Sequence, residues 1–343
     1  MPLQPHLKHL IEGRGTLTRE QARDLMHAIL AGELTDIEIA ALLGALAARG
    51  ETPAEVAGFV DTMRDAATHL PLSPAEQSIL VDTCGTGGDG SRTFNISTAA
   101  ALVAAAAGAS VAKHGNRAIT SQTGSADVLE ALGIPVGLTP AEASTALRAH
   151  RFAFLHASSL HPAMKAVMPV RRALGVRTVF NLLGPLTNPA GASAQVMGVY
   201  APHAVPLVAE AMALLGTRHA FVVHGQSEAG KGLDEISISG PTQLAEVHNG
   251  VVTLSTITPE DAGLERAPME TLIGGDATTN AAILKSIFAG ERGPRRDIVL
   301  LNAAAVLVAA DLAPDLITGV ARAAHAIDSG AVTQLIANIS SQS

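Results

Sequence analysis

Residues 82–98, Asp-Thr-Cys-Gly-Thr-Gly-Gly-Asp-Gly-Ser-Arg-Thr-Phe-Asn-Ile-Ser-Thr, hold the densest chemistry in the chain. The apolar run Ile79-Leu80-Val81 enters a loop with glycine at 85, 87, 88 and 90. The loop then passes polar side chains into an Ala-rich helix that starts near Ser97. Glycines let backbone N–H groups approach an anion and take up positive φ, and a helix N-terminus adds partial positive charge. These residue types describe a phosphate cradle. Thr93, Asn95, Ser97 and Thr98 add hydroxyl and amide groups at the helix start, where ordinary N-capping needs only one of them.

The loop alone leaves the phosphate compound open. Gly85, Gly87 and Gly90 satisfy G-x-G-x-x-G, but the dinucleotide version opens its helix at the third glycine and places an acid about 20 residues further on. Here the helix starts later, and the next strand ends in Lys113-His114. The nucleotide-triphosphatase loop fails as well, because Ser91 follows Gly90 where a lysine is required. A turn with surplus glycine stays open as the bland alternative. The second strand delivers Lys113-His114-Gly115-Asn116-Arg117 through Ala118-Ile119-Thr120-Ser121-Gln122 to Gly124-Ser125. A lone cation is usually a solvated surface charge. Two cations beside hydroxyls at a strand end form a second anion cradle facing the first.

These loops need a scaffold. Thr18 with Gln21, Thr35 with Glu38, and Thr52-Pro53 with Glu55 are successive capping boxes, so the first 65 residues read as helices. Ala22, Leu25, Met26, Ile29 and Leu30 form the apolar stripe of one, stopped by Gly32. Leu70 to Ala75, with prolines at 71 and 74, reads as a hinge. Beyond it strand candidates at 79–82, 110–113, 134–138, 152–155, 195–199 and 219–223 alternate with helices near 98–108, 125–132, 140–149 and 203–215. Further helices are expected at 276–288, 295–310 and 315–328. Alternation predicts an α/β fold: a small all-helical domain and a larger α/β domain with a mostly parallel central sheet. The expected boundaries are 1–72 for the helical domain, with a helical insert 162–185 contributing to it, and 73–161 plus 186–343 for the α/β domain. Ligands of such sheets bind at the carboxyl ends of the strands, where the Gly85 loop lies.

Composition narrows the function. A chain of 343 residues is long for one core. One Tyr and no Trp leave little for stacking on nucleic acid bases. A formal net charge of −8 repels polyphosphate backbones, so a phosphate ligand must be captured locally by a few basic groups. Cys84 is the single cysteine, so no intrachain disulfide exists and a cytoplasmic location is the simplest. Between a strand and a glycine loop it reads as structural, not as a reactive thiol. Met1 to Ile11 has no continuous apolar core, and neither a signal nor a membrane anchor is indicated. The run Ile298 to Leu312 reads as a buried helix, too short to span a membrane.

Gly-Thr-Gly-Gly-Asp at 85–89, Asn-Ile-Ser-Thr at 95–98, Lys-His-Gly-Asn-Arg at 113–117 and Gly-Ser-Ala-Asp at 124–127 occur in this order. They are followed by Arg-Arg at 171–172, Asn-Leu-Leu-Gly-Pro-Leu-Thr-Asn-Pro at 181–189 and Gly-Leu-Asp-Glu at 232–235. Together they closely resemble the anthranilate phosphoribosyltransferase family over nearly the whole chain. The resemblance implies transfer of a 5-phosphoribosyl group from phosphoribosyl pyrophosphate (PRPP) to the amine of anthranilate, in tryptophan biosynthesis. It also implies the architecture shared with nucleoside phosphorylases, a homodimer formed through the helical domain, and active sites at the cleft between domains.

By matching position, the resemblance assigns PRPP to Gly85, Gly88, Asp89, Thr93, Asn95, Ile96, Ser97 and Thr98. Lys113, His114, Gly115, Asn116, Arg117, Ala118, Ile119, Thr120, Ser121 and Ser125 would close over its phosphates. Gly85, Asn116 and Arg171 would contact anthranilate, with His114 beside the acceptor path in a positioning role. Arg171 suits a planar carboxylate because a guanidinium can bind it bidentately; a structural salt bridge is the alternative. Ser97, Asp234 and Glu235 would hold Mg²⁺, as two ions per site. Adjacent acids on a regular strand point to opposite faces, so both reach metal only if the backbone is irregular or two ions bind. Departures from the family pattern fall at 156–162, at Gln122 and at 226–231. A nucleoside phosphorylase and a non-catalytic nucleic-acid-binding relative on the same scaffold are the competing readings.

Overall fold

The computed structural model describes residues 3–118 and 122–341. Helices Gln4–Ile11, Arg19–Leu30, Asp36–Arg49 and Pro53–Asp65 open the chain. The expected capping boxes form at Thr18, Thr35 and Thr52, each side chain accepting the N3 N–H while the N3 side chain accepts from the cap backbone. Glu55 does more than cap. Fully buried, it also accepts from Leu17 N at 2.7 Å and from Arg49 Nη2 at 2.5 Å, so its charge is paired and its oxygens are satisfied. The expected insert holds a 3₁₀ turn, Pro162–Ala166, and the helix Met168–Leu174, and the helix Phe180–Leu186 runs one residue past its end. Val167, Val170, Val179 and Phe180 share one buried cluster with Leu25, Met26, Leu42 and Phe59 of the opening helices.

The larger part is a sheet. Its strands are β1 (Leu80–Gly85), β2 (Ser110–Gly115), β3 (Phe152–His156), β4 (Ala194–Gly198), β5 (His219–Gln226), β6 (Gly232–Leu233), β7 (Thr242–His248) and β8 (Val251–Ile257). Among the described residues the order is β3-β2-β1-β4-β5-β7-β8, with β6 paired to β5. The first five strands run parallel, while β5–β7, β7–β8 and β5–β6 are antiparallel. From β1 the chain winds one way to β2 and β3, then returns to β4 on the other side. That reversal opens a crevice at the carboxyl ends of β1 and β4. In register, Gly85 lies opposite Gly198 and Gly115 opposite His156, so these ends form one rim. The helix Pro294–Ala309 runs through the main core, with Ile298 to Ala309 all buried, as its apolar sequence required. Among the described residues no helix is long and apolar enough to cross a membrane.

Two strand expectations differ from the structure. Residues 134–138 form an irregular segment between the helices Ser125–Ala131 and Pro140–His150, not a strand. Ile134 and Val136 are buried, which produces a strand-like alternation, but Pro135 lacks the N–H that a ladder needs. The antiparallel hairpin β7–β8 is not among the expected strands. Its turn is Asn249-Gly250, both at positive φ (50° and 83°), the chemistry of a two-residue hairpin loop. β8 has no buried residue on either face, so hydrophobic periodicity there is weak.

The helix pair Arg19–Leu30 and Pro53–Asp65 packs at very short range because of Gly58. A Cβ at that position would overlap the Arg19 carbonyl oxygen and stand 2.9 Å from Ala22 Cβ. Alanine gains about 1 kcal/mol in helix propensity over glycine, but forcing two helices apart costs about 1–3 kcal/mol. Gly58→Ala is therefore expected to lower stability in a urea melt, by up to about 2 kcal/mol net. A more stable variant would show that helix propensity outweighs the contact.

Candidate active site

The glycine loop leaves β1 at Gly85. Gly87, Gly88 and Gly90 have φ of +69°, +78° and +74°, a region costly for any residue with a Cβ. Among the described residues no group of the chain accepts from the N–H of Gly88, Asp89 or Gly90. Successive free N–H groups in such a turn make an anion-binding concavity. The loop is braced from its far side: Thr86 N donates to Gly198 O at 2.9 Å, and Asp89 Oδ1 accepts from Ser91 N at 2.9 Å.

Gly85 is required for a different reason. A Cβ there would collide with the Asp234 carboxylate, and one on Gly198 would collide with the Asp234 backbone. After β6 the chain bends across the ends of β1 and β4 in this side-chain-free gap, which supplies the irregular backbone that an adjacent acid pair needs. Asp234 Oδ2 accepts from Gly87 N at 2.7 Å, and Glu235 Oε1 accepts from Ser97 N at 3.0 Å. Asp234 N donates to Asp89 Oδ2 at 3.2 Å. Buried Asn302 fixes the following residue by accepting from Ile236 N and donating to Ile236 O, at 3.0 and 2.9 Å.

Three half-buried carboxylates thus crowd one spot. Burial, then Asp89 and Glu235, push the Asp234 carboxyl well above the usual range. Burial raises Glu235 to about 7, against the pull of Lys113 and the Ser97 N–H. No set of three or more His, Cys, Asp or Glu side chains among the described residues forms a closed metal cage. This donor set suits a hard cation that brings ligands of its own, as Mg²⁺ does with substrate phosphates.

Lys113 does not reach into an open loop. It is 1% exposed and lies beneath the site, its Nζ donating to Thr83 O at 2.6 Å and Ser97 Oγ at 3.4 Å. From there it offsets both Glu235 and the fully buried Asp82. Asp82 accepts from Asn188 Nδ2 at 2.9 Å and from His114 N at 3.1 Å. Asp82 and Asn188 are not among the expected site residues, although the strings 82–98 and 181–189 contain them.

The helix Ile96–Ala106 begins at Asn95, whose side chain makes no cap bond. Its Oδ1 accepts from Asn280 Nδ2 at 2.9 Å, so simple capping does not explain this asparagine. Ile96 and Thr98 are buried, and the Ile96 N–H is already taken by Phe94 O at 2.8 Å, so Ile96 departs from the expected donor contact. Thr93 stands 3.3 Å from Ser91 through their hydroxyls. At the end of β2, Ser125 Oγ would lie 2.7 Å from a Cβ on Gly115. Asn116 Oδ1 accepts from Arg117 N at 2.9 Å and Ser158 Oγ at 3.0 Å. Arg117 departs from expectation: its guanidinium is occupied by Glu130 at 2.5 Å and Asp127 at 3.1 Å. Both acids lie on the next helix, and they draw the cation away from an anion site. Ala118 N donates to Asp127 Oδ2 at 3.1 Å. Ile119, Thr120 and Ser121 lie outside the described residues.

His114 is 4% exposed, with its ring centroid 5.1 Å from that of His161 and its Nε2 lacking any partner. Burial and the neighbouring His161 lower it to about 3, so it is neutral in ordinary buffers. Arg171, half-buried on the helix Met168–Leu174, packs over Phe180 at 5.4 Å. Among the described residues it has no carboxylate partner, which removes the salt-bridge alternative. Burial raises the Cys84 thiol well above its usual value, in keeping with a structural role.

Residues 77–333 match the family model described as Glycosyl transferase family, a/b domain, and residues 4–67 match Glycosyl transferase family, helical bundle domain. A protein of Symbiobacterium thermophilum named anthranilate phosphoribosyltransferase is 52% identical over 330 residues, 96% of this chain and 94% of that one. The crystal structure of anthranilate phosphoribosyltransferase from Thermus thermophilus has a TM-score of 0.89 and 45% identity, with 98% of each chain covered. That of the Saccharomyces cerevisiae enzyme in complex with PRPP and Mg has a TM-score of 0.86 and 27% identity, covering 99% of this chain and 98% of the other.

Lys113 is the buried counter-charge of this arrangement, so its loss leaves carboxylates uncompensated. Lys113→Met is expected to cost about 3 kcal/mol in a urea melt at pH 8. The cost should shrink at pH 5, because Glu235, raised to about 7, is then protonated and carries no charge to offset. An equal loss at both pH values would contradict this role for Lys113.

Proposed function

The chain belongs to the anthranilate phosphoribosyltransferase family and transfers the 5-phosphoribosyl group of PRPP to the amine of anthranilate, a step of tryptophan biosynthesis; from that premise we propose that the rim at β1, β2 and β4 is its active site. The observation that carries the proposal is the Asp234-Glu235 bend, bonded at once to the glycine loop and to the first turn of the adjoining helix. The free N–H groups of Gly88, Asp89 and Gly90 face the pyrophosphate of the donor, with Thr93, Asn95, Ser97 and Thr98 around it. When PRPP loses pyrophosphate, its C1 gains oxocarbenium character and the leaving group gains charge. Preorganised donors aimed at that charge lower the barrier without reorganising.

Asp234, Glu235 and Ser97 would hold Mg²⁺, which supplies positive charge to the leaving diphosphate when bound. The carboxyls fit it because burial, and then the neighbouring acids, disfavour their charged forms, which a bound cation would offset. Asp234 turns to the loop and Glu235 to the helix, an arrangement that supports two ions. Lys113 keeps the pair from repelling the donor. Arg171, unpaired on its helix, takes the anthranilate carboxylate, and the Asn116 amide, held through its Oδ1, orients the ring. The aromatic amine is already a neutral nucleophile, so positioning dominates. His114, neutral and with a free Nε2, lines the acceptor path without abstracting a proton beforehand.

A homodimer through the helical domain belongs to the same reading, supported by the exposed Ile11 and Ile37 on the opening helices. So do a cytoplasmic location, which the single cysteine favours, and the division into helical and α/β domains at 72/73, 161/162 and 185/186. The phosphorylase and nucleic-acid readings have no support from the named relatives.

Incubation with anthranilate, PRPP and Mg²⁺ is expected to consume anthranilate fluorescence. In the same assay Arg171→Ala should raise KM for anthranilate about 10-fold or more, as loss of a charge-assisted pair does. KM for PRPP should stay within about threefold. Equal rises in both constants would contradict the acceptor role of Arg171.

A further inference from the structure

Arg177 lies in the short segment between the helices Met168–Leu174 and Phe180–Leu186, outside every motif matched above. Its Nη2 donates to Gly88 O at 2.5 Å, across 89 residues of sequence. Its guanidinium carbon sits 4.5 Å from the ring centroid of Tyr200, the chain's single tyrosine, just beyond the end of β4. Among the described residues no carboxylate pairs with it. A bond to a carbonyl and a ring face therefore fix this cation.

We propose that Arg177 is a positioning residue, which sets the glycine loop for the departing diphosphate from the helical side of the cleft. In a trans peptide the C=O and N–H point in opposite directions. Holding Gly88 O toward Arg177 thus turns the Asp89 N–H away from it, on the side where no group of the chain accepts. Gly87, Gly88 and Gly90 all adopt positive φ, and a loop this rich in glycine has many alternatives to lose on binding. A pinned carbonyl reduces that loss before the donor arrives.

The pin also joins two parts of the molecule. The segment that carries Arg177 is packed with the opening helices through Val170, Val179 and Phe180, and Arg64 Nε donates to Leu186 O at 2.9 Å. The same segment carries Arg171. One element therefore bears both the arginine for the acceptor carboxylate and the arginine that arranges the donor loop. This inference rests on the proposed reading of the loop as the pyrophosphate site.

The test uses the full chain and Mg²⁺-pyrophosphate as probe. Arg177→Gln is expected to weaken pyrophosphate binding in calorimetry about tenfold and to raise KM for PRPP by a similar factor. KM for anthranilate should stay within about twofold, and Arg177→Lys should restore only part of the loss, because an ammonium lacks the planar face that stacks on Tyr200. Tyr200→Leu should act in the same direction, with no further loss when combined with Arg177→Gln, whereas Tyr200→Phe should bind as the parent does. Unchanged pyrophosphate binding in Arg177→Gln, or additive losses in the double variant, would overturn the proposal. Ser97→Ala serves as the separate check. If it weakens pyrophosphate binding while Arg177→Gln does not, only this inference fails; if neither does, the loop is not the pyrophosphate site.

Discussion

The absence of side chains at Gly85 and Gly198 is the constraint on which the site depends. Two neighbouring parallel strands end opposite one another without a Cβ, and the bend at Asp234 and Glu235 lies in the space this leaves. Only that close approach lets one carboxylate reach the Gly87 N–H while the next reaches the first turn of the helix behind it. The cost is electrostatic. Acids held this near one another, with Asp89 beside them, have too little water to carry their charge comfortably. Lys113 offsets part of it from below, and the proposed Mg²⁺ would offset more.

The topology explains why this happens here and not at another strand end. The sheet reverses its winding between β1 and β4, so the connections leaving these strands diverge and open a crevice. The glycine loop covers one side of it and the β2 end with His114 and Asn116 another; Arg177 reaches the loop from the helical side, where Arg171 is proposed to meet the acceptor. Negative charge lies at the strand ends and free N–H groups on the glycine loop, while guanidinium groups without a carboxylate partner lie on the helix Met168–Leu174 and in the segment after it. In the proposed reading, a donor that carries phosphates and an acceptor that carries a carboxylate would meet different walls. For a reaction in which an already nucleophilic amine meets an electron-poor carbon, such placement is the main contribution the protein can make.

Much of this was legible in the residues. Capping boxes marked the starts of the opening helices, the glycine loop marked the end of β1, and the Gly-Leu-Asp-Glu string marked the acidic bend. Side-chain direction was not legible. Lys113 and Arg117 sit four apart on one stretch of sequence, yet one is buried beneath the carboxylates and the other is drawn off by Asp127 and Glu130. Which acids lie within reach is decided by the packing of the next helix, not by local pattern. The segment 134–138 alternates like a strand, but its proline removes a ladder donor. The Asn249-Gly250 hairpin carried a readable turn signal, hidden because β8 is open on both faces and alternates poorly. Asn188, Asn280 and Asn302, each holding a site segment by its amide, have no signature in spacing at all.

Adding one methyl group to the gap probes the seating of the acid pair most directly. A Cβ at residue 198 collides with the Asp234 backbone, so Gly198→Ala must displace the bend while leaving every charged group in the chain. Calorimetric titration with PRPP and Mg²⁺ should then show donor affinity reduced at least about tenfold, the size of one lost charge-assisted contact. Donor binding as tight as in the parent chain, with the variant still folded, would contradict the account.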